Sequence, residues 1–224
     1  MCINYKNMTT IILTSTIHVK DYIDCVYQKD AYERLQTYLR SILQWLRKTN
    51  FNIVVVENSG YNFCELNDEK EIYKDRFEVI TFDYKNIEEL KNLEYVFSKG
   101  VNEIFAIDYA IKNSSIIKKS NFIIKVTGRF FIEELENYLS QFDLNEFDCL
   151  TQSNNFRSEM VGSHVKNLNH IFNTNVYDDN INFKEVVEAV YQYRTLKYKK
   201  VLLCKTFKIN KTQRGGLPEY YEDI

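Results

Sequence analysis

Residues 51–60, FNIVVVENSG, decide the fold. Phe51–Val56 carries the β-branched run Ile53–Val56 and stops at Glu57-Asn58-Ser59-Gly60, so it reads as a buried strand ending in a polar turn. Ahead of it, between Ala31 and Thr49, the apolar residues Leu35, Tyr38, Leu39, Ile42, Leu43, Trp45 and Leu46 recur at helical spacing. Earlier still, Thr9–Thr14 (TTIILT) is a second short apolar run, closed by the hydroxyls of Thr14, Ser15 and Thr16. Strand, helix, strand with both strands buried is the pattern of a parallel sheet with a crossover helix.

The alternation continues towards the C-terminus. Phe77–Phe82 and Phe122–Val126 are further strands, the latter breaking at Thr127-Gly128-Arg129. Helices are expected over Ile87–Phe97, Asn102–Lys118 and Ile132–Leu139. Beyond about Leu150 the pattern loosens into a strand at Asp148–Thr151, a polar stretch Gln152–Gly162 and helices near Val165–Phe172 and Phe183–Leu196. A late strand, Val201–Cys204, precedes a tail holding Gly215, Gly216 and Pro218. The expectation is one α/β domain over residues 1–224, an open, mostly parallel mixed sheet flanked by helices. Residues 9–150 form a nucleotide-binding-like half, and residues 151–224 a more irregular half with a C-terminal tail.

Composition narrows the class. Of 224 residues, 45% are hydrophobic and 27% charged, enough for a sizeable core. Basic and acidic residues nearly cancel, 29 against 31, so no global positive field argues for nucleic acid. The N-terminus, Met1 to Thr10, lacks the apolar stretch of a signal peptide, and no apolar run reaches membrane-spanning length. The five cysteines are odd in number and show no Cys-x-x-Cys pair, so reduced buried thiols and a cytoplasmic location are expected. The six glycines are scattered, and neither G-x-G-x-x-G nor G-x-x-x-x-G-K-[ST] occurs. His18, His164 and His170 lack zinc-binding spacing.

In open α/β sheets ligands sit beyond the carboxyl ends of the strands. Three such ends are polar here: Thr14-Ser15-Thr16, Glu57-Asn58-Ser59-Gly60 and Lys125-x-Thr127-Gly128-Arg129. A Glu or Asn accepts from a ribose hydroxyl or a base edge. Lys and Arg flanking a glycine can hold a diphosphate. Each end also serves as an ordinary turn. From Lys197 to Arg214 there are seven basic residues and no acidic one. Either this is a solvated basic face, or Lys211 or Arg214 folds over a bound diphosphate.

Two segments carry a resemblance. Ser98-Lys99-Gly100-x-x-Glu103 stands about twenty residues before Phe122-Ile123-Ile124-Lys125-Val126-Thr127-Gly128-Arg129-Phe130. With the hydroxyls closing the first strand, Arg34, Tyr38 and Trp45 on the helix, and the ENSG end, this resembles a GT-A-type glycosyltransferase. It is similar to a little-characterised group with KG-x-x-E and K-x-TGR-[YF] segments, found in bacterial and large-DNA-virus polysaccharide loci. The resemblance covers Thr10 to Phe131.

It implies a GT-A-like fold and transfer of a sugar from a nucleotide-diphosphate sugar to a glycan or other hydroxyl acceptor. The donor site then comprises Thr14, Ser15, Thr16, Glu57, Asn58, Ser59, Lys99, Glu103, Lys125, Thr127, Gly128 and Arg214. Thr14, Ser15 and Glu57 would hold the nucleoside, and Lys99, Lys125 and Arg129 the phosphates. Arg129 and Glu159 are the catalytic candidates, with Asp178 and Asp179 as alternative bases. Metal-dependent members place Asp-x-Asp, holding Mn²⁺ or Mg²⁺, where this chain has Thr127-Gly128-Arg129. No Asp-x-Asp occurs anywhere in it. A guanidinium can instead fork two hydrogen bonds to a leaving diphosphate; Arg129 can equally be a structural ion-pair residue. A non-catalytic nucleotide- or glycan-binding module and a sugar nucleotidyltransferase are the alternatives.

Overall fold

The structure, a computed structural model, describes residues 8–20, 26–91, 98–152, 157–175 and 187–224. The first half runs β1 (Thr9–Ser15), α1 (Ala31–Lys48), β2 (Asn52–Glu57), α2 (Asn67–Ile72), β3 (Phe77–Thr81), α3 (Glu88–Lys91), α4 (Lys99–Asn113) and β4 (Phe122–Thr127). The second half runs α5 (Leu135–Leu139), β5 (Cys149–Gln152), β6 (Met160–His164), α6 (Leu168–Ile171), α7 (Val187–Leu196), β7 (Val201–Cys204), β8 (Lys208–Gln213) and β9 (Tyr220–Asp223). Seven strands form one sheet in the order β3-β2-β1-β4-β6-β5-β7, and β8 and β9 form a separate hairpin. All neighbours in the large sheet are parallel except β6, which is antiparallel to both β4 and β5.

Alternation along the strands builds a core on each face. On one face Ile11, Leu13, Ile53, Val55, Phe122, Ile124 and Val126 pack with Tyr38, Ile42, Trp45 and Leu46 of α1. On the other, Ile12, Val54, Val56 and Ile123 pack with Ile104, Phe105, Ile107 and Ala110 of α4 and with Val190 and Tyr191 of α7. Being buried on both sides is why β1 and β2 read as continuous apolar runs. Asp30 caps α1 by accepting from the Glu33 amide at 2.8 Å. The Trp45 indole donates to the Phe130 carbonyl at 2.9 Å, tying α1 to the loop after β4.

Several expectations need correction. Met160–His164 begins inside the stretch read as polar, Gln152–Gly162, yet it is a strand paired on both sides. Only Met160 and Val161 are apolar in it, so tertiary pairing rather than local pattern makes the strand. The basic tail folds into the β8–β9 hairpin, anchored where Phe207 and Ile224 exchange backbone hydrogen bonds at 2.7 and 2.9 Å. The helix expected over Asn102–Lys118 is α4, which begins at Lys99 and stops at Asn113. Ser114 ends it by turning its hydroxyl to the amides of Ile116 and Ile117. Of the helix expected over Ile87–Phe97, α3 is what is described, and 92–97 lie outside the described residues. So do Phe183 to Val186 ahead of α7. Cys149 and Cys204 are buried, but Cys64 is exposed; Cys2 and Cys25 fall outside the described residues. Among the described residues no helix is long and apolar enough to cross a membrane.

Candidate functional site

Strand order reverses between β1 and β4, which sends the chain to opposite sides and opens a crevice at their carboxyl ends. The Gly128 amide donates to the Thr14 carbonyl at 3.0 Å and closes the floor between the two strands. A Cβ on Gly128 would stand 2.5 Å from that carbonyl oxygen, so only glycine allows the approach. Above the floor is a cavity of about 410 Å³.

The two resembling segments meet in this crevice. Thr14 and Lys125 lie two residues beyond Ile12 and Ile123, on the α4 face of the sheet. There the Glu103 carboxylate accepts from Thr14 Oγ1 at 2.8 Å and pairs with Lys125 Nζ at 3.0 Å. Lys125 is fully buried and also donates to the Ser158 carbonyl at 2.6 Å. Glu103, still one-fifth exposed, lines the cavity; Lys125 stands behind it.

The end of β2 serves the wall rather than its inner surface. Glu57 is wholly buried and accepts from the amides of Ile17, Ser59 and Tyr61 at 2.9, 2.9 and 2.8 Å, and from the Ser59 hydroxyl. Burial pushes its carboxyl up, against the pull of those donors. Ser59 Oγ in turn accepts from the Ile17 and His18 amides, so the loops after β1 and β2 are laced together. Thr16 Oγ1 donates to Asn58 Oδ1 at 2.7 Å, and both line the cavity.

Of the sequence-derived residues, Thr14, Ser15, Thr16, Asn58, Lys99, Glu103, Thr127, Arg129, Glu159 and Arg214 line the cavity. Glu57, Ser59, Lys125 and Gly128 do not; their polar atoms hold other elements of the wall. Asp178 and Asp179 lie outside the described residues.

Glu159, just ahead of β6, stands by the Tyr221 phenol, which is pushed up to about 12 by burial first and then by the Glu159 carboxylate. Its Oε2 is buried without a hydrogen-bond partner, as is Arg129 Nε. The turn between β8 and β9 forms the roof. Arg214 pairs with Glu219 at 3.0 Å and lies over the Tyr221 ring, while the Gly215 carbonyl accepts from the Tyr27 amide at 2.8 Å. Gly215 packs against Arg129: a Cβ there would stand 2.7 Å from Nη2.

Residues that the strand-end reading did not put in the site complete the lining. Arg34 and Tyr38 come from α1, Lys20 and Tyr84 from the rim, and Glu188 from α7, where it accepts from the Ser158 hydroxyl at 3.1 Å. Arg34 and Tyr38 carried a signal, an i,i+4 polar pair on an apolar helix face. Lys20, Tyr84 and Glu188 carried none. Among the described residues, Glu103 is committed to Lys125 and Thr14, and Arg129 stands just past the end of β4. No group of three or more potential ligands comes together among the described residues.

A mostly parallel seven-stranded sheet with antiparallel β6 and a crevice at the β1–β4 switch is a GT-A-like fold. The chain matches a candidate nucleotide-diphospho-sugar transferase from Desulfovibrio desulfuricans G20 with a TM-score of 0.50 and 15% identity, over 88% of this chain and 80% of that one. It also matches the glycosyltransferase GlyE of Streptococcus pneumoniae TIGR4 with a TM-score of 0.49 and 10% identity. That match spans 87% of this chain and 44% of GlyE. A glycosyltransferase involved in glycosylation of the major capsid of PBCV-1 matches with a TM-score of 0.44 and 12% identity, over 89% and 82%. No family model matches the sequence, and no curated protein does.

Proposed function

We propose that this chain is a glycosyltransferase that moves a sugar from a nucleotide-diphosphate donor to a hydroxyl acceptor. The observation that carries the reading is Arg129, at the end of β4 on the switch-point cavity, with its Nε unspent. In this reading Thr16 and Asn58 meet the nucleoside, and Arg129, Lys99 and Arg214 meet the diphosphate. Glu103, fixed by Lys125, accepts from a hydroxyl of the sugar. The bond between the anomeric carbon and the diphosphate oxygen breaks, and the diphosphate leaves with the electron pair, neutralised by Arg129. The acceptor oxygen forms the new bond to the anomeric carbon and loses its proton to Glu159 Oε2. Charge stabilisation in a walled cavity is the main catalytic term, with positioning beside it. The Desulfovibrio protein's description as a nucleotide-diphospho-sugar transferase supports the donor class.

Release of nucleoside diphosphate from sugar nucleotides tests this. Arg129→Ala is expected to lower release on the order of 10²-fold, as loss of a leaving-group donor does, with little change in melting temperature. Equal loss of stability and activity would make Arg129 a structural residue. Binding of donor without release by the wild type would favour a non-catalytic binding module, the reading that the missing Asp-x-Asp keeps open.

A further inference from the structure

Three N–H donors converge on one oxygen at the cavity floor. The Tyr38 hydroxyl oxygen lies 3.1 Å from Arg34 Nη2, 3.4 Å from Arg129 Nη1 and 3.4 Å from the Thr16 amide. The residue is 2% exposed, yet it lines the cavity. A phenol oxygen is a modest acceptor, and two guanidiniums directed at one is the arrangement expected around an anion. The two arginines are not equivalent. Arg34 is otherwise occupied, with Nε on the Thr16 carbonyl at 2.6 Å and Nη1 on the Gln28 carbonyl at 3.0 Å. Arg129 has a buried Nε without a partner and rests against Gly215.

We propose that Tyr38 is a positioning residue: its hydroxyl holds the Arg129 guanidinium at the cavity floor and yields it to an oxygen of the donor's diphosphate. The inference rests on the donor-site reading above. Arg34 stays with Tyr38, because α1 and the loop after β4 fix both. A Cβ on Gly128 would stand only 3.3 Å from the Tyr38 ring. The diphosphate then does for Arg129 what the phenol oxygen does in its absence. The charged groups acting on the phenol are Arg34 of its own helix and Arg129 after β4. Glu57 at the end of β2 acts on Arg34, and Glu159 ahead of β6 acts on Tyr221 of the hairpin. Burial pushes the phenol up, but Arg34, then Arg129, with the Thr16 amide, outweigh it and hold it below its ordinary value. An ionised Tyr38 grips Arg129 harder and so competes with a phosphate ligand.

The test is calorimetric titration of inorganic pyrophosphate into wild type and Tyr38→Phe between about pH 7 and about pH 10, the ordinary phenol value. At the low end the variant should bind as tightly as the wild type or several-fold more tightly, because the Tyr38–Arg129 contact that the ligand must displace is gone. As pH rises, the wild type should weaken relative to the variant, by about tenfold for each unit above the Tyr38 midpoint if competition is complete. A wild-type-to-variant ratio that is flat with pH would overturn the proposal and leave Tyr38 a packing residue. The Tyr38 midpoint itself, taken from phenolate absorbance as wild type minus Tyr38→Phe, gives a reading that needs no ligand. Placed in an Arg129→Met background, the same difference should show the midpoint moving up. An unmoved midpoint would break the Tyr38–Arg129 link. Absence of pyrophosphate binding in the wild type, with the midpoint still moving, would instead overturn the donor-site reading.

Discussion

Lys125 shows how a single residue can belong to a site without touching its contents. Its ammonium is fully buried, so the charge is tolerable only because Glu103 and the Ser158 carbonyl surround it. Glu103→Gln leaves that cation unpaired and is expected to cost about 3–5 kcal/mol. Lys125→Met leaves a carboxylate that is partly exposed and still held by Thr14, and should cost less. The double variant should be more stable than the sum of the two losses requires, measured by urea unfolding; strict additivity would mean that the pair is not coupled. The sequence made both residues visible, since Lys-Gly-x-x-Glu and Lys-x-Thr-Gly-Arg stand out as segments. It did not reveal that they form one ion pair, because that depends on Lys125 alternating onto the α4 face. Lys125 and Glu57 were both expected to touch the donor. Each is instead buried behind the wall, a distinction that spacing along a strand cannot make.

Among the elements, the β8–β9 hairpin roofs the site and was the least legible. KINKTQ and YYED have weak strand patterns and half-exposed side chains, and the hairpin is held by contacts with distant parts of the chain. Its turn sets Gly215 on the Arg129 guanidinium and joins the Tyr27 amide. Gly215→Ala places a methyl 2.7 Å from Arg129 Nη2, and the end of a flexible side chain can move aside. Melting temperature should therefore change by only about 2 °C, while donor turnover falls on the order of 10²-fold from misplacing the guanidinium by about 1 Å. A variant with unchanged turnover would remove the hairpin from the account of catalysis. The strands β1 to β4 and helix α1, by contrast, were legible from periodicity alone, because burial on both faces or one leaves a simple pattern. β6 was not, because Gly162 and Ser163 have no strand propensity and the pairing on both sides supplies it.

At the scale of the whole molecule, the fold and the place of the site follow from one topological fact, the reversal of strand order between β1 and β4. Three polar strand ends pointed to that crevice in the sequence. What stayed illegible was the closure of the crevice by elements far along the chain: α7 with Glu188, the segment before β6 with Glu159, and the hairpin roof. In the proposed reading this closed crevice binds a nucleotide-diphosphate sugar through Arg129. The most direct measurement is a melting screen against UDP-, GDP-, CMP- and dTDP-sugars in the presence of EDTA, run on wild type and Arg129→Ala. A ligand at a hundred times its Kd stabilises by about 2.7 kcal/mol, which is about 5–10 °C for a domain of this size. A shift of that order is expected with one diphosphate nucleotide class in the wild type, and its loss in Arg129→Ala. No shift with any sugar nucleotide, or a shift that Arg129→Ala leaves intact, would contradict it.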